Sequence, residues 1–306
     1  MASWLRHPRY VPIRDGLITH LQRSRYRFRR LDPVIFLCGG AGSKSRDAVR
    51  DYLKRYSPGF DVFYAERVWK SIAKLGKRDA LRMEADLAEL ADTVIVIVES
   101  AGTIAELGAF SLSEPLRKKL LPIVDEKYQH ESSFLATGPL RWIDNESDFK
   151  PTIYTSLKFI TTAADQIEDR LKRIPASHSV KVTDLAASPK HLLFFICDLI
   201  AVIYPATIPM IVHYLTQISP SLASSKINIP TLVGLAVAMD LLRRHEVTTS
   251  PGASETYFAP ADPAGASRPF HHSRLLYLEG QRAAHASVLL AIPEAKAVLD
   301  QIRKIA

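Results

Sequence analysis

The stretch Asp92-Thr-Val-Ile-Val-Ile-Val98, followed by Glu99-Ser-Ala-Gly-Thr-Ile-Ala-Glu106-Leu-Gly-Ala-Phe110, decides the fold. Thr93 to Val98 is an unbroken run of β-branched residues with no polar alternation. Such a run fits a strand buried on both faces, the position of a central strand in a parallel sheet. The chain then turns at Glu99-Ser100 into a helical pattern that reaches about Leu112, so strand, turn and helix follow one another.

The same grammar repeats on either side. Val34-Ile-Phe-Leu-Cys38 is an apolar strand that ends at Gly39-Gly-Ala-Gly42, and Ser43 caps a helix running to about Tyr56. Asp61 to Tyr64 reads as a strand, Asp79 to Ala91 as a helix, Leu120 to Val124 as a further strand, and Thr155 to Arg173 as a helical stretch. Alternation of this kind predicts an α/β domain with a doubly wound parallel sheet and right-handed crossovers over residues 31–174. Residues 175–189, with Pro175 and Pro189 near the ends, read as a linker. Beyond them the pattern changes to helices over 190–203, 207–218 and 230–244, a hairpin over 246–258, and helices from 273 to 305. Three helices followed by a two-stranded wing is the order of a small, mostly helical winged-helix domain over 190–306.

The chain has 306 residues, 47% of them hydrophobic and 24% charged, which excludes a disordered or fibrous class. Its two cysteines, Cys38 and Cys197, have no partner at zinc-ligand spacing and imply neither a disulfide framework nor a metal site. Charge is concentrated at the start: residues 1–30 contain eight arginines against Asp15 alone, so +7 of the net +8 lies there. With Pro8 and Pro12 interrupting helical periodicity, this segment reads as a basic arm suited to a polyanion, or as a solvated tail. Leu192 to Val212 is apolar enough to imitate a membrane span, but Asp198, Pro205 and Pro209 break it. Two buried helices are expected instead, the second capped by Thr207.

In an open parallel sheet, ligands sit beyond the carboxyl ends of the strands, where helix N-termini favour anions. The turn at Gly39 and Gly40 is one candidate for substrate binding, though a tight strand-to-helix turn needs the same residues. The turn containing Glu99, Ser100, Gly102 and Thr103 is a second. Glu106 is sharper, because an otherwise apolar helix bearing Gly108 and Ala109 does not ordinarily bury a carboxylate. An exposed glutamate favoured by the helix dipole is the plain alternative. Asp92 and Glu99 read as flanking the same strand end, and Glu66 lies at the end of the second strand; all three are further candidates for the site, or are solvated loop acids.

Phe36-Leu-Cys-Gly-Gly40, Phe63-Tyr-Ala-Glu66, Ala91 to Ile97, and Glu99 to Phe110 together resemble the nucleoside 2-deoxyribosyltransferase-like domain. More closely they resemble the ribosyltransferase/DNA-binding effectors of bacterial retron antiphage systems, and Leu116 to Leu120, Ser133-Phe134 and Gly138 to Arg141 continue the likeness. The resemblance covers residues 34–145 in motifs and the remainder in architecture. It implies that Glu106 is the catalytic nucleophile or oxocarbenium-stabilising carboxylate of an N-riboside cleavage, with Asp92, Glu99 and Glu66 as candidates to hydrogen-bond ribose hydroxyls or to protonate the leaving base. It also implies NAD+ or a related nucleotide as substrate, no required cofactor, and a cytoplasmic toxin associated, as an oligomer, with a retron reverse transcriptase and its RNA–DNA hybrid. Glu99-Ser100 departs from the Asp-Gly common in deoxyribosyltransferases, which argues against deoxynucleoside exchange. A non-catalytic, nucleotide-sensing DNA-binding regulator is the alternative. The third helix after the linker carries almost no polar groups for base edges, so docking to protein is as good a role for this domain as reading DNA.

The arginine run generates its own test. Tyr10, Tyr26 and Phe28 are interleaved with the arginines of this segment, among them Arg23, Arg25, Arg27, Arg29 and Arg30, a pattern suited to phosphate contact with base stacking. Replacing the five arginines with Ser is expected to weaken binding to a branched RNA–DNA probe. It should also flatten the slope of log affinity against log salt, measured by fluorescence anisotropy between low and moderate ionic strength.

Overall fold

A computed structural model describes residues 3–23, 31–64, 90–176, 180, 182–250, 253–261 and 278–305 of the chain. The chain divides into two compact units, Asp32–Ser177 and a second built from both ends, Met1–Leu31 with His178–Ala306.

After helix α1 (Val11–Arg23), the α/β unit runs β1 (Val34–Cys38), α2 (Lys44–Tyr56), β2 (Asp61–Tyr64), β3 (Thr93–Val98), α3 (Ala101–Leu112) and α4 (Glu114–Arg117). It continues through β4 (Leu120–Asp125), α5 (Arg141–Glu146), β5 (Ile153–Thr155) and α6 (Ala164–Leu171). The five strands are all parallel in the order β2-β1-β3-β4-β5. All six residues of β3 are buried, as the unbroken apolar run requires of a central strand. On one face Ile35, Leu37, Ile95, Ile97, Leu121 and Ile123 pack with Val49 and Leu53 of α2 and Ile167 and Leu171 of α6. Phe36, Val94 and Val96 alternate to the opposite face and are equally buried. That face is closed by α3, which packs against β3 and β4. Each fully buried Val or Ile contributes about 1.5–3 kcal/mol relative to exposure. The doubly wound parallel sheet is therefore present. β5, a three-residue edge strand, lies where the sequence suggested only loop and helix. The expected helix over 79–91 falls almost wholly outside the described residues.

The second unit contains α7 (Pro189–Ile203), α8 (Ile208–Ile218), α9 (Ile229–Ala238), the hairpin β6 (Leu242–Ser250) and β7 (Ala253–Pro260), α10 (Leu278–Leu290) and α11 (Pro293–Ile305). Helices α9 and α10 and strand β7 pack on α7, which is buried along nearly its whole length, Asp198 included. The apolar stretch is thus two helices, the second capped by the Thr207 hydroxyl, and no described helix is long and apolar enough to cross a membrane. The third helix is shorter than expected: α9 stops at Ala238, Asp240 turns the chain at a φ of 59°, and Leu242–Arg244 belong to β6. Three helices followed by a hairpin appear in the expected order. However, Ile229, Leu232, Val233, Gly234, Leu235, Ala236 and Ala238 of α9 are all buried, and the strip it leaves accessible, Pro230, Thr231 and Val237, carries no charged or amide group for base edges.

The first 23 residues differ from the expected arm. Trp4, Leu5, Tyr10, Leu17, Ile18 and Leu21 are buried, Trp4 stacks on Tyr257 at 5.7 Å between ring centroids, and the Tyr10 and Tyr214 hydroxyls share a hydrogen bond of 3.0 Å. Pro12 sits in the first turn of α1, where its missing N–H leaves no helical bond unmade. Counting charge hid an apolar set spaced between the arginines. Of those, Arg14 pairs with Asp15 and donates to the Leu5 carbonyl, and Arg9 donates to the Ala291 carbonyl. Val182–Ala187, assigned to the linker, forms a short 3-10 helix with Leu185 buried. The Arg23 side chain and Arg25, Arg27, Arg29 and Arg30 lie outside the described residues.

Trp4→Ala tests the built-in segment: loss of a stacked, 1% exposed indole is expected to destabilise the second unit by about 3–5 kcal/mol, read as a lowered urea midpoint. A free arm would leave the midpoint unchanged.

Candidate active site

The strand order places a topological switch point between β1 and β3, where the turns leaving the two strands diverge and open a crevice. The β1 turn is Gly39-Gly-Ala-Gly42, and Gly42 has a φ of +69°, a conformation that favours glycine. Ser43 then caps α2 by accepting the Arg46 N–H at 2.9 Å. On the β3 side Ser100 and Thr103 form a reciprocal cap. Ser100 Oγ accepts the Thr103 N–H at 3.2 Å, and Thr103 Oγ1 accepts the N–H groups of Ser100 at 3.0 Å and Glu99 at 3.1 Å. Thr103 is buried and its hydroxyl also donates to the Ser100 carbonyl, so the side chain is used in holding the turn.

The two turns are tied directly. Glu99 Oε1 accepts the Gly40 N–H at 2.8 Å. A Cβ on Gly39 would stand 2.9 Å from Arg46 Cβ and 3.1 Å from Glu99 Oε1, whereas one on Gly40 would meet nothing closer than 3.5 Å. Gly39, Gly40, Glu99, Ser100, Gly102 and Thr103 therefore converge on one crevice. Glu106 is half-buried on α3, on the stripe that runs back through Gly102 and Thr103 at helical spacings of four and three residues toward the same crevice.

One of the candidates is not brought there. Asp92 sits at the opposite, amino end of β3, where its Oδ2 accepts the Val34 N–H at 2.7 Å and its own N–H donates to the Val34 carbonyl at 2.9 Å. Asp92 and Glu99 are the residues on either side of a six-residue strand, roughly 20 Å apart, and Asp92 serves to register β1 against β3. Glu66 lies outside the described residues.

Four residues that the sequence did not single out, Arg46, Asp47, Arg50 and Tyr64, stand beside the β1 turn. Arg46 is buried, its guanidinium 4.2 Å from the centroid of the Tyr64 ring, with Arg50 at 5.1 Å from the same ring. The Tyr64 hydroxyl donates to Asp47, and burial followed by that bond pushes the phenol up to about 12, so it remains a neutral donor at neutral pH. Only the spacing of Arg46 and Asp47, in the first turn after the glycines, could have signalled them. Among the described residues no cluster of three or more His, Cys, Asp or Glu could hold a metal ion, and His271-His272 lies outside them. A separate cavity of about 550 Å³, lined by Gly108, Leu112, Phe134, Arg141 and Trp142, opens on the other flank of α3 from Glu106.

A parallel sheet in this order, with helices on both faces and a glycine turn at its switch point, defines a doubly wound α/β domain. Residues 42–244 match the family described as STM3845 retron effector protein, and the chain belongs to that family. It is 40% identical over 130 residues to the Escherichia coli protein named "Retron Ec86 putative ribosyltransferase/DNA-binding protein", covering 41% of this chain and 42% of that one. It is 29% identical over 232 residues to the E. coli "Retron Ec73 putative ribosyltransferase/DNA-binding protein", covering 68% of this chain and 73% of the relative.

The two glycines are expected to respond differently to one methyl group. Gly39→Ala forces the turn away from Arg46 and should cost about 1–3 kcal/mol, while Gly40→Ala should stay within about 1 kcal/mol of the parent, both by urea denaturation. Equal effects would mean that the close approach at Gly39 does not shape the turn.

Proposed function

We propose that this retron effector cleaves the N-glycosidic bond of NAD+ or a related nucleotide, as a ribosyltransferase or glycohydrolase, with Glu106 as the catalytic carboxylate. The observation that carries the reading is Glu106 itself: a half-buried acid on an apolar helix whose N-terminus is anchored at the switch point. The ribosyltransferase in the relatives' names supports the reaction class. As the bond from the anomeric carbon to the base nitrogen breaks, its electron pair leaves with the nitrogen and positive charge builds on the sugar. A carboxylate on one ring face stabilises or traps that cation, and water or another acceptor completes the transfer. In NAD+ the departing ring is already a pyridinium and leaves neutral, so this chemistry requires no separate acid and no cofactor.

The partners that fit are a retron reverse transcriptase and its multicopy RNA–DNA hybrid, met by the effector as an oligomer in the bacterial cytoplasm, with nucleotide depletion as the route to toxicity and abortive infection. Because α9 is buried, the DNA binding in the relatives' names is ascribed in this chain to the arginine run before β1.

Glu106→Gln keeps the shape and removes the charge. Turnover of NAD+ by the purified chain, followed as base release, should fall by about 10²–10³-fold with the melting temperature retained. Undiminished turnover in the variant removes Glu106 from the mechanism. Tight nucleotide binding without turnover by the parent chain would instead favour a sensing regulator.

A further inference from the structure

Glycine turns that open a helix ordinarily cradle phosphate, because their N–H groups are free and the helix dipole favours an anion. In this crevice several of those donors are already engaged, the Gly40 N–H among them. The Gly40 N–H goes to Glu99 Oε1 at 2.8 Å, and the Arg46 N–H of the first turn of α2 goes to Ser43 Oγ at 2.9 Å. Across the switch point the N–H groups of Ser100 and Thr103 are bound by each other's hydroxyls. The paired glycines also admit the chain's own carboxylate: Glu99 Oε1 is 3.1 Å and 3.5 Å from where Cβ atoms on Gly39 and Gly40 would be.

We propose that Glu99 is a built-in occupant of the anion position over the β1 turn, so that the turn seats the uncharged, hydroxyl-bearing sugar and the phosphates of the nucleotide lie away from it. This rests on the reading of the crevice as a nucleotide site and assigns its polarity. One N–H uses a fraction of a carboxylate's acceptor capacity, and Glu99 is exposed, so the remainder is open to ribose hydroxyls, which donate to it. A phosphate brought to the same place meets like charge and a donor already taken. Glu99 thereby becomes a specificity residue that favours the ribose diol over deoxyribose and over a bare phosphate.

The full-length chain, E99A and E99Q are titrated calorimetrically with inorganic pyrophosphate, each checked for an unchanged far-ultraviolet spectrum. E99A frees the Gly40 N–H and removes the charge, and is expected to bind pyrophosphate roughly tenfold or more tightly than the parent. E99Q, which keeps an oxygen for Gly40 and stays closest to the native turn, should gain less. In the cleavage assay E99Q should narrow the preference for NAD+ over an analogue lacking the 2′-hydroxyl on the reacting ribose, chiefly through KM. Pyrophosphate binding that is unchanged in E99A, or that is present in the parent and lost in E99A, overturns the proposal. If the parent cleaves no N-riboside the reading of the function fails, and the pyrophosphate titration still decides the role of Glu99.

Discussion

The hydrogen bond from the Gly40 N–H to Glu99 joins the two loops that the topology drives apart. Crossovers from β1 and β3 diverge at this one place in the sheet, and an open crevice between diverging loops is wide and variable unless something spans it. The bond spans it at the carboxyl end. At the amino end of the same strand pair, Asp92 binds both backbone groups of Val34. Two acids of similar chemistry therefore bracket one strand and differ in consequence only through which end they occupy. One faces the crevice and the other fixes the register in which Ile35 opposes Thr93 and Cys38 opposes Val96.

The close approach has a further structural effect. With Arg46 Cβ and Glu99 Oε1 both within about the contact distance of a methyl group, Gly39 cannot carry one, and the turn is held in a single shape by the groups around it. Arg46 in turn rests on Tyr64, whose hydroxyl is engaged by Asp47. The crevice is thus supported from the end of β2 as well as from β1 and β3, and the support comes from residues of the first turn of α2 instead of from the glycines themselves.

Strands β1, β2 and β3 and helices α2 and α3 were legible in the sequence because each is governed by local signals: an unbroken apolar run, a glycine turn, a capping serine. Glu106 stands out in the sequence for the same reason, as a charge on an apolar helix, and the structure places it half-buried on α3. What was not legible depended on long-range partners. β5 is three residues long and exists as a strand only because β4 lies beside it. The end of α9 was overrun because Leu241 and Leu242 continue a helical pattern, while Asp240 in the left-handed region breaks it. Asp92 and Glu99 flank a single strand in the sequence and so look like one site, but an extended strand of six residues carries its two ends far apart.

The first 23 residues show the same limit for charge. Net charge describes the surface a segment presents, not whether the segment has apolar residues to bury, and Trp4, Tyr10 and Leu21 were invisible to that count. Their burial changes what the arginine run is. α1 belongs to the unit that also contains α7 to α11, and β1 opens the α/β unit, so residues 24–30 connect two folded bodies and have no free end. A polyanion held by a tail is tethered to one domain. A polyanion held by a connector would be tethered to two.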